Sequence, residues 1–166
     1  IVTCTDVVFA LDMYQIGLRN YLDGNYVDAL GNLKLATKLR PDNDKYQYAL
    51  GAVYFCTSKE AESQEEALKH FKKAFRLNPR SVEAVFHMGL AQLELQLFSA
   101  AMNSFTKVLE LNPKHADAHN SIGWIHLKSS DSSNEDQSAI SSTSQKSTKK
   151  PSKLDTAIES FRSAIT

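Results

Sequence analysis

Three histidines come first among the residues that could do chemistry. His115 and His119 lie four residues apart and His126 follows seven further on, a spacing that raises the question of a zinc site. A helical zinc-protease motif reads H-E-x-x-H, with the glutamate as general base, but here Ala116, Asp117 and Ala118 stand between the first pair. Cys4 and Cys56 have no second cysteine or histidine at ligand spacing, and two cysteines make no disulfide framework. Cys56 falls in an apolar helical stretch, where a free thiol behaves as a small hydrophobe. That usage fits a reducing compartment. The six glycines are scattered singly, so no phosphate-cradling loop forms, and no G-x-S-x-G elbow is present. Ser, His and Asp residues show no triad pattern. The sequence thus nominates no catalytic residue, no cofactor and no metal ligand, and it reads as a chain that is not an enzyme.

Bulk properties narrow the field further. The 166 residues are 42% hydrophobic and 23% charged, ordinary values for a folded chain. Nineteen basic residues balance nineteen acidic ones. No bulk electrostatic pull toward nucleic acid or an anionic membrane follows, so neither is expected as a partner. No apolar run approaches the ~20 residues needed to cross a bilayer. No N-x-S/T sequon occurs, since Asn103, Asn112 and Asn120 all lack the hydroxyl residue two places on.

The elements that would position any site are set by a repeat. An apolar residue precedes glycine in Ile16-Gly17, Leu50-Gly51, Met88-Gly89 and Ile122-Gly123, and the glycines stand 34, 38 and 34 residues apart. Alanine is followed four places later by a bulky apolar residue in Ala29/Leu33, Ala67/Phe71, Ala101/Phe105 and Ala157/Phe161. Proline closes Leu39-Arg40-Pro41, Leu77-Asn78-Pro79 and Leu111-Asn112-Pro113. Between each glycine and the next proline, apolar residues recur at three- and four-residue spacing, as amphipathic helices require. A glycine inside a helix costs about 0.5–1 kcal/mol against alanine. Four such costs at one phase point to close backbone contact between paired helices, with the small Ala29, Ala67, Ala101 and Ala157 as the other half. Proline then ends the second helix of each pair. Helices are predicted over 6–22, 26–40, 44–57, 64–77, 82–94, 98–111, 115–129 and 154–166.

These marks resemble the tetratricopeptide repeat, a 34-residue helical hairpin with Gly, Ala, Phe and Pro at fixed offsets. The segment Gly24-Asn25-Tyr26-Val27-Asp28-Ala29 also resembles that family's inter-helix turn. The family's Trp position holds Met13, Gln47, Val85 and His119, and its Tyr position is kept only at Tyr54. His119 and His126 fall on these packing positions, which favours structural use over metal binding. The resemblance implies an all-α fold, a right-handed solenoid of four helix-turn-helix hairpins. The repeats would span 10–43, 44–81, 82–115 and 116–166 of a single array.

Comparing the spacings locates two insertions. Gly17 to Ala29 and Gly89 to Ala101 are each 12 residues, whereas Gly51 to Ala67 is 16 and Gly123 to Ala157 is 34. Four residues are therefore added near 58–64, and 22 inside the fourth turn. The latter, about 130–152, is rich in Ser, Thr, Asp and Lys, with Ile140 as its one aliphatic residue larger than alanine. It is expected to be disordered, because it buries too little to offset its ordering entropy. Ser132 and Ser133 precede Glu135 and Asp136, an acidophilic kinase pattern, and Lys146, Lys149, Lys150 and Lys153 form a small basic cluster. A solubilising loop is the plainer reading of both. The chain starts at Ile1, and its last helix offers Ile158, Phe161 and Ile165 to a further neighbour. It is expected to be part of a longer protein.

In the tetratricopeptide family the first helix of each hairpin lines a concave groove where partner peptides sit. Carrying the phase from the glycines, the groove residues are Tyr14, Gln15, Leu18, Tyr48, Ala52, Phe86, His87, Leu90, Asn120 and Trp124. Ala49 and Ser121 lie between these rows, and a further row of Tyr21, Phe55, Leu93 and Leu127 reads as core between adjacent repeats. The trough is aromatic and aliphatic, with Lys45, Glu83, Asp117 and Lys128 at its edges. The family's Lys/Asn/Arg clamp for chaperone C-terminal tails would fall on Tyr14, Leu18, Ala49, Glu83 and His87, which disfavours such tails as partners. The reading is a protein-interaction scaffold that receives a helix or extended peptide through apolar anchors, as part of a larger assembly. Two alternatives stand beside it. One is a targeting module of a larger enzyme of glycosyltransferase, phosphatase or prolyl isomerase type; the other is a spacer whose groove its own chain fills. A cytoplasmic location is expected, including cytoskeletal, ciliary or nuclear assemblies.

Overall fold

The computed structural model describes residues 3–131, in which seven α-helices are the regular elements: α1 (Cys4–Leu22), α2 (Tyr26–Leu39), α3 (Asp44–Thr57), α4 (Ala61–Leu77), α5 (Val82–Glu94), α6 (Phe98–Leu111) and α7 (Ala116–Asp131). The expected helix over 154–166 and the insertion over about 130–152 lie essentially outside the described residues, α7 ending at Asp131. The chain divides into two compact units, one ending at Ser104 and the other beginning at Phe105.

Local signals account for the helix ends. At α1 the Thr3 hydroxyl accepts the Asp6 N–H at 3.2 Å, and the Asp6 carboxylate accepts the Thr3 N–H at 2.9 Å, a reciprocal capping box. These bonds hold the Asp6 carboxyl below its ordinary range, the Thr3 side chain being the larger cause. The helix accordingly starts at Cys4, two residues before its expected start. Asn43 and Ser81 cap α3 and α5 by accepting the N–H groups of Tyr46 and Ala84, each at 3.2 Å. Helices α2, α4 and α6 end at Leu39, Leu77 and Leu111, each two residues before its proline. Gly24, with φ +79°, supplies the left-handed residue that turns α1 into α2.

In the first unit consecutive helices pack as neighbours, α1 on α2, α2 on α3, α3 on α4 and α4 on α5. The seams are the expected ones. Ala29, Leu33, Ala67 and Phe71 have no exposed surface and form the centres of two apolar clusters with Ala49, Leu50, Val53, Leu68 and Ala91. A Cβ placed on Gly17 would meet Leu33 Cγ at 2.7 Å, and one on Gly51 would meet Phe71 Cδ1 at 2.9 Å and the Ala67 carbonyl oxygen at 3.2 Å. Close approach of the hairpin partners therefore does require glycine at these positions. Among the described residues of the second unit, Phe105, Val108, Ala118 and Ile125 are the buried apolar ones.

The additional residues near 58–64 do not form a longer loop alone. They extend α4 back to Ala61, making it 17 residues long. The buried Gln64 amide donates to the Ser58 carbonyl at 2.7 Å and the Phe55 carbonyl at 3.2 Å, satisfying acceptors left open at the end of α3. Gln47, on the family's Trp position, is likewise buried and polar: its amide donates to the Pro41 carbonyl at 2.8 Å, and its oxygen lies 2.8 Å from His70 Nδ1.

Candidate binding groove

Helices α1 and α3 present rings toward the N-terminal half of α5. Tyr14 stacks on Tyr46, with centroids 4.6 Å apart. Tyr48 lies edge-on to His87 at 5.4 Å and against Phe71 at 5.8 Å. Phe55 approaches both Phe71 and His87 at 6.4 Å. Together these helices enclose a recess of about 240 Å³, lined by Tyr14, Leu18 and Tyr21 from α1, by Tyr48, Ala49, Ala52, Phe55 and Cys56 from α3, and by His87 from α5. Beside it a second recess of about 340 Å³ shares Tyr14 and Tyr48 and carries the charged groups Asp44, Lys45, Arg80 and Glu83. The Asn78 amide donates to Asp44 there at 2.9 Å.

The polar atoms of the groove have definite roles. His87 Nδ1 lies 2.9 Å from the Glu83 carbonyl oxygen and 3.3 Å from the Tyr48 hydroxyl. A carbonyl can only accept, so the shorter contact places the proton on Nδ1. The Tyr48 oxygen then receives at most a second branch of that bond, and its own O–H hydrogen points elsewhere. Burial is the main cause that raises the Tyr48 and Tyr14 phenols above their ordinary 10.0. Both are neutral donors at physiological pH. At the far end the Tyr21 hydroxyl sits 3.5 Å from Cys56 Sγ, a contact that, with burial, pushes the Tyr21 pKa up to about 12.

Of the residues named from sequence, Tyr14, Leu18, Tyr48, Ala52 and His87 line this recess together. Phe86 is half-buried beside His87, with centroids 5.7 Å apart, and Leu90 is half-buried; neither belongs to the lining. Gln15 is exposed on α1, outside it. Asn120 and Trp124 lie on α7 in the second unit, both exposed, with Lys128 Nζ 5.7 Å from the Trp124 ring centre. Tyr21 and Phe55, expected as core between repeats, do pack against the two apolar clusters and also line the recess, as does Cys56, which is exposed. A signal for all three existed. Tyr14, Leu18 and Tyr21 share one stripe at four- and three-residue spacing, and Cys56 lies one turn beyond Ala52.

Two of the three histidines considered for zinc, His115 and His119, engage backbone. His119 Nε2 donates to the Pro113 carbonyl at 3.0 Å, and His115 Nδ1 accepts the Ala118 N–H at 3.3 Å. Among the described residues no group of three His, Cys, Asp or Glu side chains is placed to hold a metal. None of their helices is long and apolar enough to cross a membrane.

Sequential helical hairpins, with small residues at each seam and a ring-lined recess on the first helices, define a repeat scaffold of the protein-interaction class. Comparisons with known proteins agree. Residues 82–115 match the tetratricopeptide repeat family. The chain is 29% identical over 123 residues to a UDP-N-acetylglucosamine–peptide N-acetylglucosaminyltransferase of Giardia intestinalis, an alignment spanning 74% of this chain and 8% of that protein. It is 31% identical over 104 residues to tetratricopeptide repeat protein 37 of Xenopus laevis, spanning 61% of this chain and 7% of that one. Among solved structures, MamA superposes with a TM-score of 0.76 at 18% identity, covering 94% of this chain and 76% of that one. The first tetratricopeptide domain of Spaghetti, bound to an HSP90 peptide, gives a TM-score of 0.68 at 23% identity, covering 74% and 94% respectively. Residues 82–115 are thus a tetratricopeptide repeat, and the hairpin stack has the fold of tetratricopeptide structures; the chain spans less than a tenth of the length of the two curated relatives from Giardia and Xenopus.

Proposed function

We propose that the groove of α1, α3 and α5 receives a partner segment through an apolar anchor, and that Tyr48 also donates a hydrogen bond to that segment. The carrying observation is the recess of about 240 Å³ lined by rings and small residues around a phenol whose hydrogen is uncommitted. An apolar side chain entering it removes ring surface from water at about 25 cal/mol per Å². A backbone carbonyl of the same segment then satisfies the Tyr48 O–H. The charged recess alongside, with Lys45, Arg80, Asp44 and Glu83, would select the flanking residues. Phe86 extends the apolar surface past His87. The positions where a chaperone-tail clamp would fall hold Tyr14, Leu18, Ala49, Glu83 and His87, so an internal segment is favoured over a free C-terminal carboxylate. We also retain a cytoplasmic setting within a larger assembly.

Peptides selected on the wild-type chain from a displayed library provide the test. Tyr48→Ser combined with Phe86→Ser should lower their affinity by about 2 kcal/mol or more, roughly thirtyfold, with helicity retained. Tyr48→Phe should cost about 0.5–1.5 kcal/mol, the net worth of one hydrogen bond. Unchanged titrations with the double variant reject the groove assignment. The alignment with the Giardia transferase supports a second reading, that the chain is the substrate- or partner-recruiting segment of a larger enzyme. The complete reading frame distinguishes the two.

A further inference from the structure

A larger cavity, of about 710 Å³, opens between α2 and α4 over the side of α3 that faces away from the groove. At about 100° per residue, Gln47, Leu50 and Tyr54 lie opposite Tyr48, Ala52 and Phe55 on α3. The two sites share no lining residue. Lys34 and Lys38 of α2 and Lys69, Lys72, Lys73 and Arg76 of α4 form the rim of this cleft, with Glu65 as the one carboxylate in the lining. Six cations gathered in a chain of zero net charge mark a local feature rather than a bulk one. Lys69 pairs with Glu66 at 3.1 Å. Among the described residues no carboxylate pairs with Lys34, Lys38, Lys72, Lys73 or Arg76. Beneath the rim the floor is apolar, built on the buried Leu50 and Leu68.

We infer that this cleft is a second docking site, which takes an acidic protein segment: clustered Asp and Glu side chains on the lysine rim, and a neighbouring apolar side chain on the Leu50/Leu68 floor. Like charges held this close raise the local potential, and an anionic partner relieves their mutual repulsion. The concave apolar floor fits a side chain and gives nothing to a phosphodiester backbone. The two rings of the lining, Tyr54 and His70, are already engaged with each other, stacked at 5.7 Å, and Lys34 Nζ lies 5.3 Å from the Tyr54 centre. No open ring is left for base stacking, so a peptide is favoured over a nucleic acid.

His70 supplies an internal reporter. Its surroundings are Lys34 from α2, Gln47 and Tyr54 from α3, and Glu66, Lys69 and Lys73 from its own helix. Burial is the main cause that lowers its pKa below the ordinary 6.5, and the three lysines lower it further against the opposing Glu66. Carboxylates docked on the rim offset those lysines, so an occupied cleft raises the His70 pKa.

The test uses a fluorescent peptide with Asp and Glu flanking a central leucine, and its Asn/Gln counterpart as the uncharged control. The acidic peptide should bind saturably, with affinity that falls as salt rises. Lys38→Glu with Lys72→Glu should weaken it by about tenfold or more. Lys45→Glu with Arg80→Glu makes the same change in net charge at the groove edge, and should leave it within about twofold. NMR titration should show the His70 pKa rising when peptide is added. Tyr48→Ser should leave this binding unchanged, which keeps it separable from the groove. Four results overturn the proposal: no saturable binding, equal binding of the Asn/Gln peptide, wild-type affinity in a folded Lys38/Lys72 variant, or an oligonucleotide that outcompetes the peptide at equal charge.

Discussion

Two glycine-to-alanine substitutions in neighbouring hairpins should move stability in opposite directions. Both Gly31 and Gly51 lie inside helices, where alanine is favoured by about 0.5–1 kcal/mol. At Gly31 a Cβ meets nothing within 4 Å, so Gly31→Ala should realise that gain. At Gly51 the new Cβ stands 2.9 Å from Phe71 Cδ1 and Cε1 and 3.2 Å from the Ala67 carbonyl. Phe71 has no exposed surface into which it could swing, and the carbonyl belongs to a helix backbone. Overpacking of this kind costs about 1–3 kcal/mol, which outweighs the propensity term and leaves Gly51→Ala destabilised by about 1–2 kcal/mol. Thermal melts read the pair directly, at about 2–4 °C per kcal/mol for a chain of this length. Phe71→Leu in the Gly51→Ala background should restore part of the loss, a coupling the double-mutant cycle isolates. Stabilisation by both alanines would refute the claim that helix contact, rather than chance, places glycine at position 51.

Other outcomes follow from the same geometry. Phe71→Ala should cost about 3–5 kcal/mol in urea unfolding, because a fully buried ring leaves a cavity between α3 and α4. Cys56→Ala should return the Tyr21 pKa from about 12 toward 10.0, since the Cys56 hydrogen bond is the leading cause of the shift. NMR titration of the Tyr21 ring checks this. The folded pKa is the higher one, so the stability linked to neutral Tyr21 is complete below pH 10 and is lost as pH rises toward 12. The Cys56→Ala variant should lose most of this dependence and keep the part due to burial.

The helical array was legible because its determinants are local. A proline stops a helix wherever it falls, and Gly17, Gly51, Ala29 and Ala67 declare close contact by their small size. Helix α1 began earlier than expected because the Thr3/Asp6 capping box lies upstream of the periodic stretch. Helix α4 began at Ala61 because the additional residues found a helical solution, with Gln64 closing the end of α3. Of the groove, the phase of Tyr14, Leu18, Tyr48, Ala52 and His87 could be carried from the glycines. The depth of the recess could not, since it depends on how far α1, α3 and α5 stand apart. Tyr21 and Phe55 serve both the core and the recess, which periodicity alone does not separate, and Cys56 lines the recess through its place on the stripe rather than its side-chain type. The basic cleft was invisible for a different reason. Lys34 and Lys38 are more than thirty residues from Lys72 and Arg76, and only the α2–α4 pairing unites them.

The polar link at Gln47 carries a consequence for how this sequence can vary. Its amide faces the Pro41 carbonyl, so its oxygen faces His70, and the proton between them must sit on His70 Nδ1. A tryptophan at position 47 would restore the family's usual packing, but it would strand that N–H and exceed the volume now held by a fully buried amide. An apolar residue at position 70 would in turn orphan the Gln47 oxygen. Drift at either position alone is blocked, so the two should change together or not at all. In an alignment of orthologues, positions 47 and 70 should exchange as a pair: glutamine with histidine in one lineage, an aromatic residue with an apolar one in another.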